Sequence, residues 1–162
     1  MSAPESSTDR RVLGWREWVA LPDLGIPAIR VKLDTGARSS SLHVEAIEEF
    51  RRDDIDWVRF KLDPVSRSRS SSRRRARWIE APLLDRREVT DSSGGVSLRP
   101  FIRTDVLIAD QRYAIEINLT NRRGMLFPML LGRTAMQARW LIDPEQSYVL
   151  GDAPDEPKSR PR

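Results

Sequence analysis

Apolar and polar residues alternate along several short stretches of this chain, and one such stretch covers residues 27–34. Within it Ile29, Val31 and Leu33 are separated by charged residues. A period of two places apolar side chains on one face of a β-strand and polar side chains on the other. The pattern therefore predicts a strand whose apolar face packs into a core.

The same alternation predicts further strands and two hairpins. One hairpin turns at residues 91–95, which are rich in Ser and Gly, and the other turns at Asp110-Gln111. In the strand after the second turn, Glu116 and Asn118 are expected to face solvent, and only residues 134–139 are predicted to form a helix. The predicted strands lie at residues 15–21, 41–45, 57–62, 77–81, 87–90, 96–99, 104–109, 112–119, 140–142 and 148–150. Strands at this spacing favour an all-β barrel or sandwich.

Length and composition indicate one domain with polar ends. The 162 residues are 39% hydrophobic and 32% charged, with a net charge of +4. Residues 1–13 and 152–162 are predicted to be disordered, which leaves a domain at residues 14–151. No apolar stretch approaches the ~20 residues that span a bilayer, and the first residues lack the pattern of a signal peptide. The expected location is the cytoplasm.

Metal and cofactor chemistry find little support in the sequence. The chain has no cysteine and a single histidine, His43. Catalytic zinc usually takes three protein ligands, so we predict no metal and interpret His43 as a core or interface residue. No Gly-rich loop with a following Lys-Ser or Lys-Thr is present, and no cofactor is predicted.

A basic loop is predicted at residues 66–77. Between Arg67 and Arg77 the sequence contains only Arg, Ser and one Ala, and such a segment cannot bury enough apolar surface to order itself. It could contact phosphates of a nucleic acid or be a solvated insertion. The second interpretation is favoured, because no aromatic residue is interleaved for base stacking.

The predicted strand at residues 27–34 ends in Asp34-Thr35-Gly36-Ala37. A carboxylate at the edge of a core is costly unless it is hydrogen-bonded or functional, while an Asp-Thr-Gly turn is also common where strands stop. A second element of the sequence favours the functional interpretation of Asp34 over an ordinary turn. Residues 129–133 form a short apolar run that ends in glycine and arginine.

Four segments, at residues 34–37, 39–43, 99–100 and 127–133, together resemble the retropepsin-like aspartic peptidases. The resemblance covers residues 14–151. It is closest to bacterial proteins that carry the label ATP-dependent zinc protease and are often associated with ATP-grasp glutamate ligases. It implies a closed or partly open β-barrel lobe with one short C-terminal helix.

The resemblance also implies an aspartic peptidase with Asp34, Thr35 and Gly36 as catalytic residues. Peptide hydrolysis by carboxylates needs two of them sharing a proton, yet this chain has one Asp-Thr-Gly. The second carboxylate is therefore expected from another copy, in a homodimer whose two Asp34 residues meet at the axis. Thr35 is expected to hydrogen-bond across that axis.

The hairpin with its turn at 91–95 lies where retropepsins place their flap, although an ordinary exposed turn is the alternative. Arg38 stands where many retroviral members have an acid. It could favour acidic substrates or simply pair with a local acid such as Glu45. The residues expected to bind substrate are Ala37, Arg38, Ser92, Ser93, Gly94 and Arg133.

Three functions remain open from the sequence. The first is a peptidase that trims glutamate-extended or acidic protein tails, with a functional link to an ATP-grasp ligase. The second is a noncatalytic module of the same fold that binds an acidic peptide or partner protein. The third and weakest is RNA contact through the basic loop.

Overall fold

Eleven β-strands and two short 3₁₀ helices form the described part of the computed structural model, which covers residues 10–62, 77–121 and 126–151. The predicted all-β class is confirmed. The 3₁₀ helices are Pro22–Leu24 and Arg133–Ala135. The strands are β1 Arg11–Gly14, β2 Arg16–Leu21, β3 Ile26–Asp34, β4 Ser40–Arg52, β5 Ile55–Leu62, β6 Trp78–Pro82, β7 Asp85–Thr90, β8 Val96–Ile108, β9 Gln111–Thr120, β10 Met129–Gly132 and β11 Trp140–Asp143.

Six strands close into a ring in the order β3, β2, β8, β9, β4 and β10, and β10 returns to β3. The β10–β3 and β9–β4 pairs are parallel, while the other pairs in the ring are antiparallel. Closure removes the exposed edges that an open sheet would have. It also brings the end of β3, the start of β4 and the end of β10 to one place.

The core follows the predicted alternation. Ile29, Val31 and Leu33 are 1%, 0% and 5% exposed, so the face predicted for β3 is confirmed. Asn118 of β9 was expected to face solvent, but it has no exposed surface. That prediction was wrong, because the Asn118 side chain hydrogen-bonds to Ser41, Arg99 and the Ser40 backbone, and its neighbours Ile117 and Leu119 on the other face are buried as well.

Two strands are longer than the sequence predicts. The first residues of β4 pair with β9 and β10, and its later residues pair with β5, so one strand of 13 residues joins the ring to an outer hairpin. β8 likewise runs unbroken through both predicted hairpins. The turn between β8 and β9 lies one residue earlier than predicted, at Ala109-Asp110, where Ala109 has φ +54°.

The two ends of the domain differ most from the prediction. Residues 10–13 were assigned to a disordered segment, but β1 begins at Arg11 and pairs in parallel with β11. Burial of Leu13 explains this order. The predicted final strand pair is wrong, since residues 148–150 form no strand. Residues 1–9, 63–76 and 152–162 lie outside the described residues, and with them the predicted basic loop at 66–77 except for its last residue.

The predicted helix at residues 134–139 is also wrong. The 3₁₀ helix Arg133–Ala135 is followed by turns, and Ala138 has φ +64°. A left-handed residue ends a right-handed helix, and the chain then enters β11 at Trp140, which is buried. No helix in the described ranges is long and apolar enough to cross a bilayer.

Candidate active site

Asp34 is the last residue of β3 and begins a tight turn. The backbone N–H of Gly36 donates to Asp34 Oδ1 at 3.1 Å, and the N–H of Ala37 donates to the Asp34 carbonyl at 3.2 Å. The Asp34 side chain is half-buried, while Thr35 and Gly36 are exposed. The turn therefore holds one carboxylate oxygen in place and presents the loop at the surface.

β10 supports this loop from one side. Gly132 lies opposite Asp34 in the parallel register, and a Cβ at Gly132 would lie 2.5 Å from the Ser39 carbonyl carbon. A distance this short does not occur for real Cβ atoms, so any side chain at residue 132 would push the loop away. The close approach lets the N–H of Arg133 donate to the Ala37 carbonyl at 2.8 Å.

The residues after Gly132 continue this contact. Thr134 donates its hydroxyl to the Arg38 carbonyl at 2.8 Å, and Arg133 donates from Nη1 to the Gly36 carbonyl at 3.3 Å. The predicted substrate-binding residues Ala37, Arg38 and Arg133 are thus brought together with Asp34. Arg38 and Glu45 both belong to the described part of the chain, and the alternative of an ion pair between them is not found there.

A buried polar network lies on the other side of the loop. Asn118 Oδ1 accepts from Ser41 Oγ at 3.0 Å and from Arg99 Nη1 at 3.1 Å, and its Nδ2 donates to the Ser40 carbonyl at 2.8 Å. Ser40 Oγ in turn accepts from the Gly132 N–H at 3.1 Å. Buried polar groups are stable when satisfied in this way, so the network fixes β4 and β10 around the loop.

Sequence reasoning missed the part that Asn118 plays in this network. The sequence offered an amide between Ile117 and Leu119 and, far from it along the chain, three consecutive serines at residues 39–41. Alternation alone assigned Asn118 to the solvent face, and the closed ring that buries it depends on pairings between residues far apart in the sequence.

The predicted hairpin formed by β7 and β8 is present, and Asp91 organises its tip. Asp91 Oδ1 accepts from the N–H and hydroxyl of Ser93 at 2.9 and 2.6 Å, and from the Gly95 N–H at 3.0 Å. Gly94 has φ +88°, a backbone angle that residues with a side chain rarely adopt. The Asp91 side chain therefore shapes the turn.

Ser92, Ser93 and Gly94 are exposed at the tip. Within the described ranges, no hydrogen bond or ion pair joins these three residues to the Asp34 loop. Their role in substrate binding remains a prediction.

His43 lies in β4, where its backbone N–H donates to the Pro128 carbonyl at 2.8 Å. Its Nδ1 is buried and has no hydrogen-bond partner in the described part of the chain. Among residues 10–62, 77–121 and 126–151 there is no group of three or more His, Asp or Glu side chains that could hold a metal ion.

Comparison with known families gives a match across most of the chain. A family model described as RimB-like, "Retropepsin-like aspartic endopeptidase RimB", matches residues 12–152. A protein from Legionella pneumophila, Lpg0085, whose function is unknown, has a similar crystal structure. It aligns with a TM-score of 0.69 and 28% identity over 86% of this chain and 97% of that chain.

Curated relatives are longer than this chain. A protein named "Probable alpha-L-glutamate ligase" from Parasynechococcus marenigrum is 43% identical over 145 residues, which are 90% of this chain and 30% of that protein. Proteins of the same name from Shewanella halifaxensis and Desulfotalea psychrophila are 38% and 40% identical, over 92% and 91% of this chain and 32% and 31% of their own lengths. The chain therefore spans about a third of each of these relatives.

Proposed function

Because the chain belongs to the RimB-like family of retropepsin-like aspartic endopeptidases, we propose that it is an aspartic peptidase whose active site forms between two copies. Each copy contributes one Asp34. The observation that carries the proposal is the geometry of the Asp34 loop, which is braced by β10 and has Thr35 and Gly36 exposed where a second copy could meet them.

In this proposal the two carboxylates share one proton. The ionised Asp34 accepts a proton from water as the water attacks the peptide carbonyl, and the neutral Asp34 donates its proton to the carbonyl oxygen. Two like charges in contact cannot both stay ionised, so the pair holds one proton between its oxygens. The Gly36 N–H that donates to Asp34 Oδ1 keeps the carboxylate oriented for this exchange.

We propose peptides rich in glutamate as substrates. The curated relatives are named as glutamate ligases, and in them a region like this chain is part of a longer protein. A peptidase region joined to a glutamate ligase is suited to act on glutamate-containing tails. Arg38 follows the catalytic loop with an exposed side chain, and a guanidinium there would bind a substrate carboxylate.

The proposal predicts that Asp34→Asn abolishes cleavage of a glutamate-extended protein tail. We expect turnover to fall by about a hundredfold or more, since an amide cannot take up or release the proton. Cleavage is measured by mass spectrometry of the tail. Circular dichroism and thermal melting are expected to show an unchanged fold, because Asp34 is only half-buried.

Asp110→Asn is the matched control, because Asp110 is exposed and contacts Arg11 at the surface. It should retain full turnover. If Asp34→Asn cleaves as fast as the unmodified protein, the peptidase proposal is wrong. If neither protein cleaves the tail but both bind it, the noncatalytic binding module is supported instead.

A further inference from the structure

A surface groove of about 330 Å³ lies between the β8–β9 pair and the segment after β10. Two of its lining residues are arginines, Arg103 in β8 and Arg139 in the segment after the second 3₁₀ helix. We call it the arginine groove, defined by Arg103, Tyr113, Glu116, Thr134 and Arg139. None of these residues has a part in the chemistry proposed for Asp34.

The arginine groove is positively charged. Glu116 is its only acidic residue, and Arg87 donates to that carboxylate at 2.7 Å. In the described part of the chain no carboxylate lies within ion-pair distance of Arg103 or Arg139. Arg139 Nη1 donates to the neutral Gln111 Oε1 at 3.5 Å, so neither guanidinium is neutralised by a carboxylate of the described residues and both can bind an acidic ligand.

Arg139 is held in place before any ligand arrives. Its guanidinium carbon lies 3.9 Å from the centre of the Tyr113 ring. The Tyr113 hydroxyl donates to the Ala135 carbonyl at 2.7 Å and accepts from Trp140 Nε1 at 3.0 Å. Because the ring cannot move freely, the guanidinium stacked on it loses little freedom on binding a carboxylate.

The groove is connected to the candidate catalytic loop through Thr134. Thr134 lines the groove, and both its N–H and its hydroxyl donate to the Arg38 carbonyl, at 3.3 and 2.8 Å. Arg38 is four residues beyond Asp34. A peptide held in the groove would thus lie against the element that supports the loop.

We propose that the arginine groove binds the carboxylate side chains of an acidic peptide, as a second contact for the tail that is cleaved at Asp34. Its use in cleavage rests on the proposed function, but binding in the groove does not. A peptide fits better than a nucleic acid, because base stacking needs an open aromatic face and Arg139 already covers the Tyr113 ring.

The test measures binding of a fluorescent oligo-glutamate peptide to the Asp34→Asn protein by fluorescence polarisation. Adding Arg103→Gln and Arg139→Gln together should weaken binding roughly three- to tenfold, as expected for two partly exposed ion pairs. The affinity of the parent protein should fall as salt increases. The matched control adds Arg51→Gln and Arg59→Gln, which remove two charges from the outer β4–β5 hairpin, and should bind as the parent does.

Two further probes make the test specific. Oligo-glutamine of the same length should bind at least several-fold more weakly than oligo-glutamate. Single-stranded RNA that binds as tightly as oligo-glutamate and depends on the same two arginines would overturn the proposal in favour of a nucleic-acid site. Equal oligo-glutamate affinities for the parent, the groove variant and the control would also overturn it.

The outcome is separate from that of the proposed function, because Asp34→Asn does not need to cleave. If the unmodified protein fails to cleave but oligo-glutamate binding depends on Arg103 and Arg139, peptide binding in the groove is supported and the peptidase proposal is rejected. If the unmodified protein cleaves and oligo-glutamate binding is the same with and without these two arginines, only the proposed binding in the groove is rejected. Thermal melting of the groove variant checks that losing the stack on Tyr113 has not unfolded the domain.

Discussion

Glu17 is a carboxylate with no exposed surface, and it joins both ends of the domain. Its Oε2 accepts from the N–H groups of Gly14 and Val149 at 2.6 and 3.0 Å, and its Oε1 accepts from the Leu150 N–H at 3.2 Å. A buried carboxylate is costly unless its oxygens are satisfied. Here three backbone donors satisfy it, and they hold the residues after β11 against β2.

We predict that Glu17→Ala destabilises the domain by about 3 kcal/mol, because it leaves three backbone donors without an acceptor. Urea unfolding at neutral pH measures the change in the free energy of unfolding. The control is Glu45→Ala, an exposed glutamate of β4, which should stay within about 0.5 kcal/mol of the parent. Equal stability of the two variants would show that the Glu17 contacts contribute nothing.

At the scale of single residues, the sequence selected the Asp34 loop as the candidate site but did not predict the side chains that support it. Asp34 could be selected because a strand pattern ends in the tetrapeptide at residues 34–37. A short apolar run that ends in Gly132 and Arg133 follows later in the chain. Glu17 and Asn118 gave no such signal. Each acts through hydrogen bonds to residues distant in sequence, so their roles depend on pairings that local patterns do not contain.

At the scale of elements, the β7–β8 hairpin carries apolar side chains that the core does not use. Val96 and Leu98 are 60% and 66% exposed and alternate with Ser97, so they lie on the same face of β8. Exposed apolar side chains on one face are suited to contact a ligand. They fit the flap role that the sequence predicts for this hairpin.

Changing Val96 and Leu98 together to Ser should raise KM for a glutamate-tailed substrate about three- to tenfold, the cost of losing partial burial of two apolar side chains. Thermal stability should hardly change, because both side chains are exposed in the free protein. Ile55→Ser is the control, since Ile55 is 53% exposed on β5 and should leave KM unchanged. An unaltered KM in the double variant would exclude these residues from substrate binding.

Element boundaries show where strand patterns are sufficient and where they fail. The buried positions of Ile29 and Val31 in β3 and of Ile115 and Ile117 in β9 were predictable, because these residues alternate with polar ones. The opposite face of β9 was not, since Asn118 is buried there. β1 was not, since Arg11–Gly14 is ordered by pairing in parallel with β11, more than a hundred residues away in the chain. The helix predicted at residues 134–139 failed for a related reason. Thr134 bonds to the Arg38 carbonyl of the Asp34 loop and Ala138 adopts a left-handed conformation, and this tertiary context overrides local helix propensity.

At the scale of the whole molecule, the proposed peptidase needs two copies of a chain that has one Asp-Thr-Gly. The single copy exposes Thr35 and Gly36, and the closed ring of strands keeps the Asp34 loop in a fixed position beside β10. A two-fold axis through this loop would place both carboxylates in one site. Activity should then be proportional to the number of dimers in which both subunits have an intact Asp34, and not to the total number of intact subunits.

We therefore predict the activity of mixtures of the unmodified protein with Asp34→Asn after the subunits have been allowed to exchange. If both carboxylates are required, an equal mixture should retain about a quarter of the activity of the same total amount of unmodified protein, because random pairing makes that fraction of dimers intact. Monomers, or dimers in which one Asp34 suffices, would retain half or more. Mixing with Asp110→Asn controls for the exchange procedure and should cause no loss. Sedimentation velocity at the assay concentration establishes that dimers are present, and a quarter of the activity without dimers would contradict the shared site.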